Sequence, residues 1–299
     1  MSKIICLGIA VLDQIFTLPD LPEKAGKYFA HEFLEVGGGP ASTAAVTAAK
    51  LGADVEFWGR VGDDNVGDRI VKELNTYGVN TQFTRRIKDT HSALSAVMVD
   101  QRGERLIINR ANAGLDTDPS WLPLERIETG DVVLADSRWI QGAELILNQA
   151  SEKGLISVLD ADSTPNDDIS SLVEKASHVA FSKNGLREYT GETDFESSLY
   201  KASSGLNSWV CATDGARGTF WFENNEFKQM PAFKVNVVDT LGAGDVFHGA
   251  LAYSLSQEFD IEQAIRFSNA VAAIKCTKLG GRAGIPSRTE VDHFLTKRK

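Results

Sequence analysis

The chain has little of three things that would point to particular partners: excess positive charge, cysteine and long apolar runs. With 31 lysines and arginines against 41 aspartates and glutamates, its formal net charge is −10. This argues against a nucleic-acid partner, because binding to phosphate backbones needs basic stripes, although a few local cations would suffice for a small anionic ligand. No apolar run is long enough to span a membrane, and the first predicted strand, residues 4–9, follows no signal-peptide pattern. We therefore expect no membrane partner and a cytoplasmic location.

The few cysteines also restrict the options. Cys6, Cys211 and Cys276 are far apart in the sequence, and each lies in an apolar segment. Buried free thiols explain this distribution better than disulfides or metal ligands. The composition is otherwise ordinary for a globular protein, with 42% hydrophobic and 24% charged residues among 299. A chain of this length can form one large α/β domain.

Apolar segments alternate with helical patterns along most of the chain. Short runs typical of buried strands, such as residues 4–9, 132–135 and 156–159, are separated by helical patterns such as 41–50 and 143–152. Parallel strands need such crossovers. The alternation therefore predicts a parallel sheet covered by helices on both faces.

Other segments interrupt this alternation. Residues 27–36 and 92–110 are predicted strands, the second with a hairpin turn at residues 101–104. Together with residues 14–18 they predict a small sheet separate from the main one; the alternative is an edge extension of the main sheet. An antiparallel meander is predicted at residues 209–230.

The most distinctive segment is residues 239–245, which read Asp-Thr-Leu-Gly-Ala-Gly-Asp. We predict a strand at residues 233–238 before it and a helix at 246–256 after it. Glycines at such a turn let backbone N–H groups converge on an anion at the helix N-terminus, and Asp245 would lie beside that anion. This arrangement suits the transfer of a phosphoryl group to a hydroxyl. The alternative is a tight connection in which Asp245 caps the helix.

Two segments resemble the signatures of a known family. Residues 239–245 resemble the C-terminal signature of the pfkB, or ribokinase-like, carbohydrate kinases. Residues 36–64, which begin Val-Gly-Gly-Gly-Pro and end Gly-Arg-Val-Gly-Asp-Asp, resemble the N-terminal signature. The resemblance implies an α/β fold of three layers, α/β/α, with a mainly parallel central sheet, in one domain of residues 1–299. It also implies a small β-sheet lid over the sugar, formed by about residues 14–36 and 92–110, through which the protein would form a homodimer.

The resemblance further implies ATP and Mg²⁺ as cofactors and a small-molecule sugar as partner. Asp245 would be the base, and the backbone of Gly242, Ala243 and Gly244 would hold the transferred phosphoryl group. The remaining implied contacts are Asp13, Gly38 and Gly39 for the sugar, and Thr213, Gly215, Gly218, Asn269, Ala273 and Gly281 for the nucleotide. Carbonyls near Asp239 and Thr240 could bind a monovalent cation, by the same analogy.

The chain departs from the family pattern in two places. A proline follows Gly39 where the family usually has an asparagine that contacts the sugar, so one sugar contact is missing or supplied elsewhere. The family's Asn-x-x-Glu motif, which helps to organise Mg²⁺ and phosphate, would fall at Ser182 and Gly185, neither of which carries a carboxylate. Asp160 and Asp162, at the end of another predicted strand, are candidate metal ligands in its place. Capping of the strand end is the alternative.

The sugar itself is indicated by residues in and near the lid. Lys27, Asn109 and Arg138 could converge on one oxyanion distal to the acceptor hydroxyl. A neutral hexose would leave the two cations unpaired in a closed site. The blocks around these residues, and residues 280–286, are similar to the branch of the family that phosphorylates C1 of 6-deoxy-6-sulfofructose in sulfoquinovose breakdown. That similarity implies a ketohexose with an anionic group at C6.

Other functions remain open at this stage. One alternative is a kinase for another sugar acid or sugar phosphate, such as 2-keto-3-deoxygluconate or fructose 6-phosphate. Sulfonate and phosphate are both tetrahedral oxyanions, and the sequence does not distinguish them. An alternative of another class is a non-catalytic ligand sensor on the same fold.

Overall fold

The computed structural model describes residues 3–110, 114–164 and 168–298, which form two β-sheets and flanking helices. The strands are β1 (Lys3–Gly8), β2 (Val11–Thr17), β3 (Glu32–Gly38), β4 (Asp54–Gly62), β5 (Thr84–Ile87), β6 (Ala93–Val99), β7 (Arg105–Arg110), β8 (Val132–Asp136), β9 (Ile156–Ala161), β10 (His178–Ser182), β11 (Trp209–Thr213), β12 (Thr219–Glu223) and β13 (Glu226–Met230). The helices are α1 (Pro40–Lys50), α2 (Asn65–Thr76), α3 (Ile140–Glu152), α4 (Ser170–Lys175), α5 (Lys183–Thr190), α6 (Phe195–Ser203), α7 (Ala243–Ser256), α8 (Ile261–Cys276) and α9 (Arg288–Thr296).

The main sheet has nine strands in the order β13-β12-β11-β10-β9-β8-β1-β4-β5. Its strands from β11 to β5 run parallel, whereas β12 and β13 are antiparallel. In the centre, Ile4 pairs with Val55 of β4 on one side and Val132 of β8 on the other. Both the predicted parallel sheet and the predicted meander are confirmed.

Helices cover both faces of this sheet. Along β1, Ile4 and Cys6 pack into the core beneath α1, α7 and α8, whereas Ile5 and Leu7 pack into the core beneath α3 to α6. Such a strand, buried on both faces, is typical of α/β folds. The predicted three-layer arrangement is therefore confirmed. The packing also brings α7 against α1, where a side chain at Gly249 would overlap the backbone of Ala44.

The small sheet has the order β3-β2-β6-β7 and shares no strand with the main one. The alternative of an edge extension is therefore wrong. The predicted strand at residues 27–36 is shorter than expected, because residues 27–31 are irregular and β3 begins at Glu32. The sheet leaves large apolar side chains exposed, among them Phe33 and Ile108.

Residues 233–238 do not form the predicted strand. This β-branched, apolar segment is irregular, and the N–H groups of Val238 and Asp239 both donate to the carbonyl of Cys276, at 2.8 and 3.1 Å. It therefore pairs with the C-terminus of α8 rather than with a strand. The helix that follows, α7, begins at Ala243, three residues before the predicted start.

Two expectations from composition can also be compared with the structure. Cys6, Cys211 and Cys276 are buried free thiols, as predicted. Burial raises the pKa of the Cys6 and Cys211 thiols well above the usual value. Within the three described ranges, no helix combines the length and the apolar character needed to cross a membrane.

Candidate active site

The turn at residues 239–245 leads directly into the first turn of α7. Gly242 occupies the N-cap position with φ of +71°, a left-handed conformation that favours glycine. The N–H of Ala243 donates to the carbonyl of Thr240 at 3.2 Å. In the described part of the chain, the N–H groups of Gly244 and Asp245 have no acceptor, as is usual at a helix N-terminus. These two amides are therefore the donors available to an anion.

Asp245 lies half-buried in this first helical turn. It makes no capping hydrogen bond to α7, so the alternative of a simple helix cap is wrong. Burial raises its pKa to about 7, an effect increased by Asp160 and Asp162 and opposed by His248 and Arg282. A carboxylate with a pKa near neutrality suits a general base, because a large fraction of it is deprotonated at neutral pH and it still has a high affinity for a proton.

Asp245 borders a small cavity of about 40 Å³. The cavity is lined by Asp13, Gly37, Gly38, Gly39, Thr43, Leu241, Gly242, Asp245, Val246, Gly281 and Arg282. The structure thus brings the predicted sugar contacts Asp13, Gly38 and Gly39 together with the 239–245 turn. Burial raises the pKa of Asp13, and the neighbouring Ser95 opposes this effect. A side chain at Gly38 would overlap the carboxylate of Asp13, which explains the glycine there.

Arg282 also lines the cavity, and sequence reasoning gave it no role. Its side chain is 1% exposed. Its Nη2 donates to the carbonyl of Gly38 at 2.8 Å and to Ser42 Oγ at 2.6 Å. Its Nε donates to Thr43 Oγ1 at 3.2 Å. Arg282 therefore fixes the glycine-rich segment against α1 and places a positive charge between two carboxylates. A lone arginine among the glycines of residues 280–284 was the available signal.

Asp136, at the end of β8, is a buried carboxylate that binds three backbone N–H groups. Its carboxylate accepts hydrogen bonds from the N–H groups of Ile9, Ala41 and Arg138 at 2.8, 3.1 and 2.9 Å. Burial nevertheless raises its pKa to about 6. Asp136 thereby ties the segment after β1 and the first turn of α1 to the carboxyl end of β8. Sequence reasoning noted it only as part of a motif, although a carboxylate that ends an apolar strand is itself a signal.

The two candidate metal ligands face different groups. Asp160 is 1% exposed, and its Oδ2 lies 2.8 Å from His248 Nδ1, in poor alignment for a hydrogen bond. Asp162 is more exposed, and its Oδ2 lies 3.4 Å from the Arg138 guanidinium. Over the described residues, no group of three or more His, Cys, Asp or Glu side chains could hold a metal. Of the two candidate ligands, Asp160 is therefore buried against His248 and Asp162 is accessible.

A larger cleft of about 630 Å³ lies on the other side of the turn. It is lined by Thr213, Gly215, Ala216, Gly218, Thr219, Ala232, Phe233, Lys234, Val235, Val237, Thr240, Ala243, Gly244, Phe247, Asn269, Ala272, Ala273 and Cys276. This set contains five of the six residues expected to bind the nucleotide. The sixth, Gly281, lines the small cavity instead, and its N–H donates to Asp239 Oδ2 at 3.1 Å.

Asn269 connects the walls of this cleft. Its Oδ1 accepts a hydrogen bond from Thr219 Oγ1 at 2.8 Å, and its Nδ2 donates to the carbonyl of Met230 at 3.3 Å. These bonds join α8 to the meander. The cleft and the small cavity both include residues of the 239–245 turn, so a molecule in each could meet at Gly244 and Asp245.

The three residues expected to bind a distal oxyanion are not in contact with one another. Lys27 is exposed, with its Nζ 5.5 Å from the centre of the Phe29 ring. Asn109 is exposed on β7. Arg138 faces Asp162, as described above. Ser182, at one position of the missing Asn-x-x-Glu motif, caps α5 by accepting the N–H of Gly185 at 3.0 Å.

The chain is similar to known proteins over almost its whole length. It is 29% identical to the ribokinase of Bacillus subtilis, over 99% of this chain and 100% of that protein. Its structure matches that of a candidate ribokinase from Agrobacterium tumefaciens, with 32% identity, a TM-score of 0.91 and coverage of 99% and 98% of the two chains. The fold also matches Arabidopsis thaliana ribokinase complexed with ribose and ATP, with 23% identity, a TM-score of 0.82 and coverage of 99% of each chain.

These similarities confirm the ribokinase-like fold. A family model described as pfkB family carbohydrate kinase matches residues 1–288. The match includes both predicted signatures, the small cavity and the larger cleft. The chain therefore belongs to the pfkB family of carbohydrate kinases and is a sugar kinase.

Proposed function

We propose that this kinase transfers the γ-phosphoryl group of ATP to a ketohexose that carries an anionic group at C6. The best candidate acceptor is 6-deoxy-6-sulfofructose, phosphorylated at C1 to 6-deoxy-6-sulfofructose 1-phosphate in sulfoquinovose breakdown. The observation that carries the proposal is a row of polar residues across the small sheet, from the acceptor cavity to the predicted distal contact.

This row consists of Asp13, Ser95 and Asn109, on three neighbouring strands. Asp13 of β2 is paired with Ser95 of β6, and Ser95 is paired with Asn109 of β7. Directly paired residues project from the same face of a sheet, so all three share the face on which Asp13 lines the cavity. Asp13 and Asn109 are two strands apart, which corresponds to roughly 10 Å between their backbones. Asp13 can thus hold ring hydroxyls while Asn109 reaches the far end of the same sugar.

Arg138 is the cation nearest to the main sheet in this proposed clamp. Its backbone N–H is fixed by Asp136, and its guanidinium is paired with Asp162 in a half-buried position. A forked guanidinium matches a sulfonate or phosphate better than it matches a neutral hydroxyl. Lys27, on the segment that joins β2 to β3, would complete the clamp when the lid closes.

In the proposed reaction, Asp245 removes the proton from the acceptor hydroxyl. The resulting oxygen attacks the γ-phosphorus, the bond between that phosphorus and the β–γ bridging oxygen breaks, and ADP leaves. The N–H groups of Gly244 and Asp245 stabilise the charge on the transferred group. Arg282 keeps Gly38 in place beneath the sugar and partly offsets the charges of Asp13 and Asp245.

We propose that Mg²⁺ enters bound to ATP. When bound, it neutralises charge on the phosphates, and it usually keeps several waters. The accessible carboxylate of Asp162 is the residue we assign to contact those waters. Asp160 has no such role, because it is buried against His248.

We also propose a homodimer through the small sheet. The face of this one-layer sheet opposite to Asp13 exposes Phe33 and Ile108, and the neighbouring segment exposes Tyr28 and Phe29. A second copy would cover these apolar side chains.

Light scattering after size exclusion should give a dimer for wild type and a monomer for I108K. The control Y200K changes an equally exposed aromatic residue on α6 and should remain dimeric. A monomeric wild type would contradict the proposal.

The acceptor can be tested by ATP consumption with a panel of sugars. The panel contains 6-deoxy-6-sulfofructose, fructose 6-phosphate, 2-keto-3-deoxygluconate, fructose and ribose. Ribose is a specific competitor, because the relatives reported above are ribokinases. We expect the highest kcat/KM for the sulfonated sugar. A preference for fructose or ribose would exclude the anion clamp, and binding without turnover for every sugar would favour the sensor alternative.

A further inference from the structure

Lys275 has an unusual position beneath the active-site turn. It lies in the last turn of α8, and its side chain is completely buried. Lysine is rarely buried unless it is paired. Its Nζ donates to the main-chain carbonyl of Asp239 at 3.0 Å and lies 3.3 Å from Asp239 Oδ2. The ammonium group thus contacts the residue at which the 239–245 turn begins.

Asp239 joins this ammonium to two other segments. Its carboxylate accepts the N–H of Leu241 at 2.8 Å, within the turn. It also accepts the N–H groups of Gly280 and Gly281, at 3.2 and 3.1 Å, just before Arg282. Burial opposes ionisation of Asp239, but the Leu241 N–H and Lys275 outweigh this effect and hold its pKa below the usual value. The ion pair therefore fixes the turn, the end of α8 and the loop after it in one arrangement.

The family resemblance led us to expect a monovalent cation at carbonyls near Asp239 and Thr240. The residues present do not fit such an ion. The carbonyl oxygen of Asp239 already accepts a hydrogen bond from the ammonium, and a second positive charge nearby would be repelled. The C-terminus of α8 further favours a cation at this place, because the helix dipole is negative there.

We propose that the Lys275 ammonium is the built-in cation of the 239–245 turn, which makes the kinase independent of K⁺ and Na⁺. A charge attached to the chain is always present, whereas a diffusible ion is bound only in proportion to its concentration. The proposed role of Lys275 is positioning. It acts through Asp239 on the Gly244 and Asp245 amides and does not itself touch the sugar or ATP.

The first test uses the unmodified protein. ATP turnover and melting temperature are measured in chloride salts of K⁺, Na⁺ and tetramethylammonium at equal ionic strength. We expect turnover to agree within about twofold and the melting temperature to show no K⁺-specific rise, because no ion-binding site is available in the folded state. Activation of tenfold or more by K⁺, or a K⁺-specific rise in melting temperature, would overturn the proposal. The melting measurement requires no substrate, so it separates this proposal from the assigned acceptor.

The second test removes the charge. In tetramethylammonium chloride we expect K275M to lose turnover by about tenfold or more, because the amides at Gly244 and Asp245 lose their fixed position. K275A leaves space for an ion, so K⁺ should raise both its melting temperature and its turnover.

The matched control is K278M, which removes an exposed lysine three residues further on that pairs with Glu290. It should behave as wild type. Wild-type turnover and melting temperature in K275M would overturn the proposal. Should K275M fail to fold, the wild-type salt series decides alone.

Discussion

The two ends of the acceptor site are attached to very different parts of the molecule. At the phosphoryl-transfer end, Asp245 lies on α7, and the completely buried Lys275 and Arg282 hold the adjoining backbone. At the distal end, Lys27 and Asn109 are exposed on an irregular segment and on the edge strand of a one-layer sheet. The transfer end is therefore assembled within one chain in the absence of substrate. The proposed distal end still needs lid closure, substrate or a second subunit.

This difference corresponds to a difference in task. Phosphoryl transfer needs donors and a base held within a fraction of an ångström, which packed elements provide. Selection of a sugar can be altered by changing a few residues on an exposed surface without disturbing that geometry. We therefore expect substitutions at the transfer end to abolish turnover for every sugar. Substitutions at the distal end should change only the preference among sugars.

The largest expected effect is that of D245N. Removing the base should lower kcat by roughly 10²–10⁴ for all sugars. Asp13 is the one other carboxylate among the described residues that line the cavity, and we assign it to binding the sugar hydroxyls. Binding of ATP and sugar, measured by calorimetry, should persist. The control D54N removes an exposed carboxylate at the start of β4 and should leave kcat unchanged. Full activity of D245N would contradict the assigned role and would leave a different base to be found.

The second prediction concerns the distal end. R138M should lower kcat/KM for 6-deoxy-6-sulfofructose by about 10- to 100-fold, the usual effect of losing a charge-assisted hydrogen bond. It should leave the slow reaction with neutral fructose almost unchanged. R187M, which removes an exposed arginine from α5, is the matched control. Equal losses of kcat/KM for the sulfonated and neutral sugars would mean that Arg138 supports the fold of the site and does not bind the anionic group.

The third prediction concerns pH. Because burial raises the pKa of Asp245 to about 7, the base is increasingly protonated below that value. For 6-deoxy-6-sulfofructose and for neutral fructose, kcat/KM should therefore fall by about tenfold for each pH unit below the pKa of Asp245. A pH series at constant ionic strength, with the fold monitored by circular dichroism, checks this. An acid limb below pH 5, near the usual pKa of aspartate, would contradict the burial effect.

The comparison also explains how much could be predicted from the sequence. The 239–245 turn and most of the nucleotide contacts were predictable, because each lies in a short contiguous motif. Arg282 was not, because its partners Ser42 and Gly38 are about 240 residues away. The strand predicted at residues 233–238 failed because an apolar, β-branched segment can also pair with a helix terminus. The position of Lys27 was not predictable either, because residues 27–31 form an exposed and irregular segment in place of the expected strand.

The smallest expected effect is on stability. It measures how much folding stability the protein loses by keeping a catalytic carboxylate at position 245. A carboxyl whose pKa is raised in the folded state destabilises the protein once it ionises. This penalty is absent below pH 3.8 and complete above about pH 7. D245N removes it, so at pH 8 its free energy of unfolding should exceed that of wild type. At pH 4 the two proteins should unfold alike in urea. R138M should show no such pH-dependent gain, because Arg138 is already paired with Asp162. An equal or lower stability of D245N at pH 8 would mean that the charges of His248 and Arg282 fully compensate the buried carboxylate.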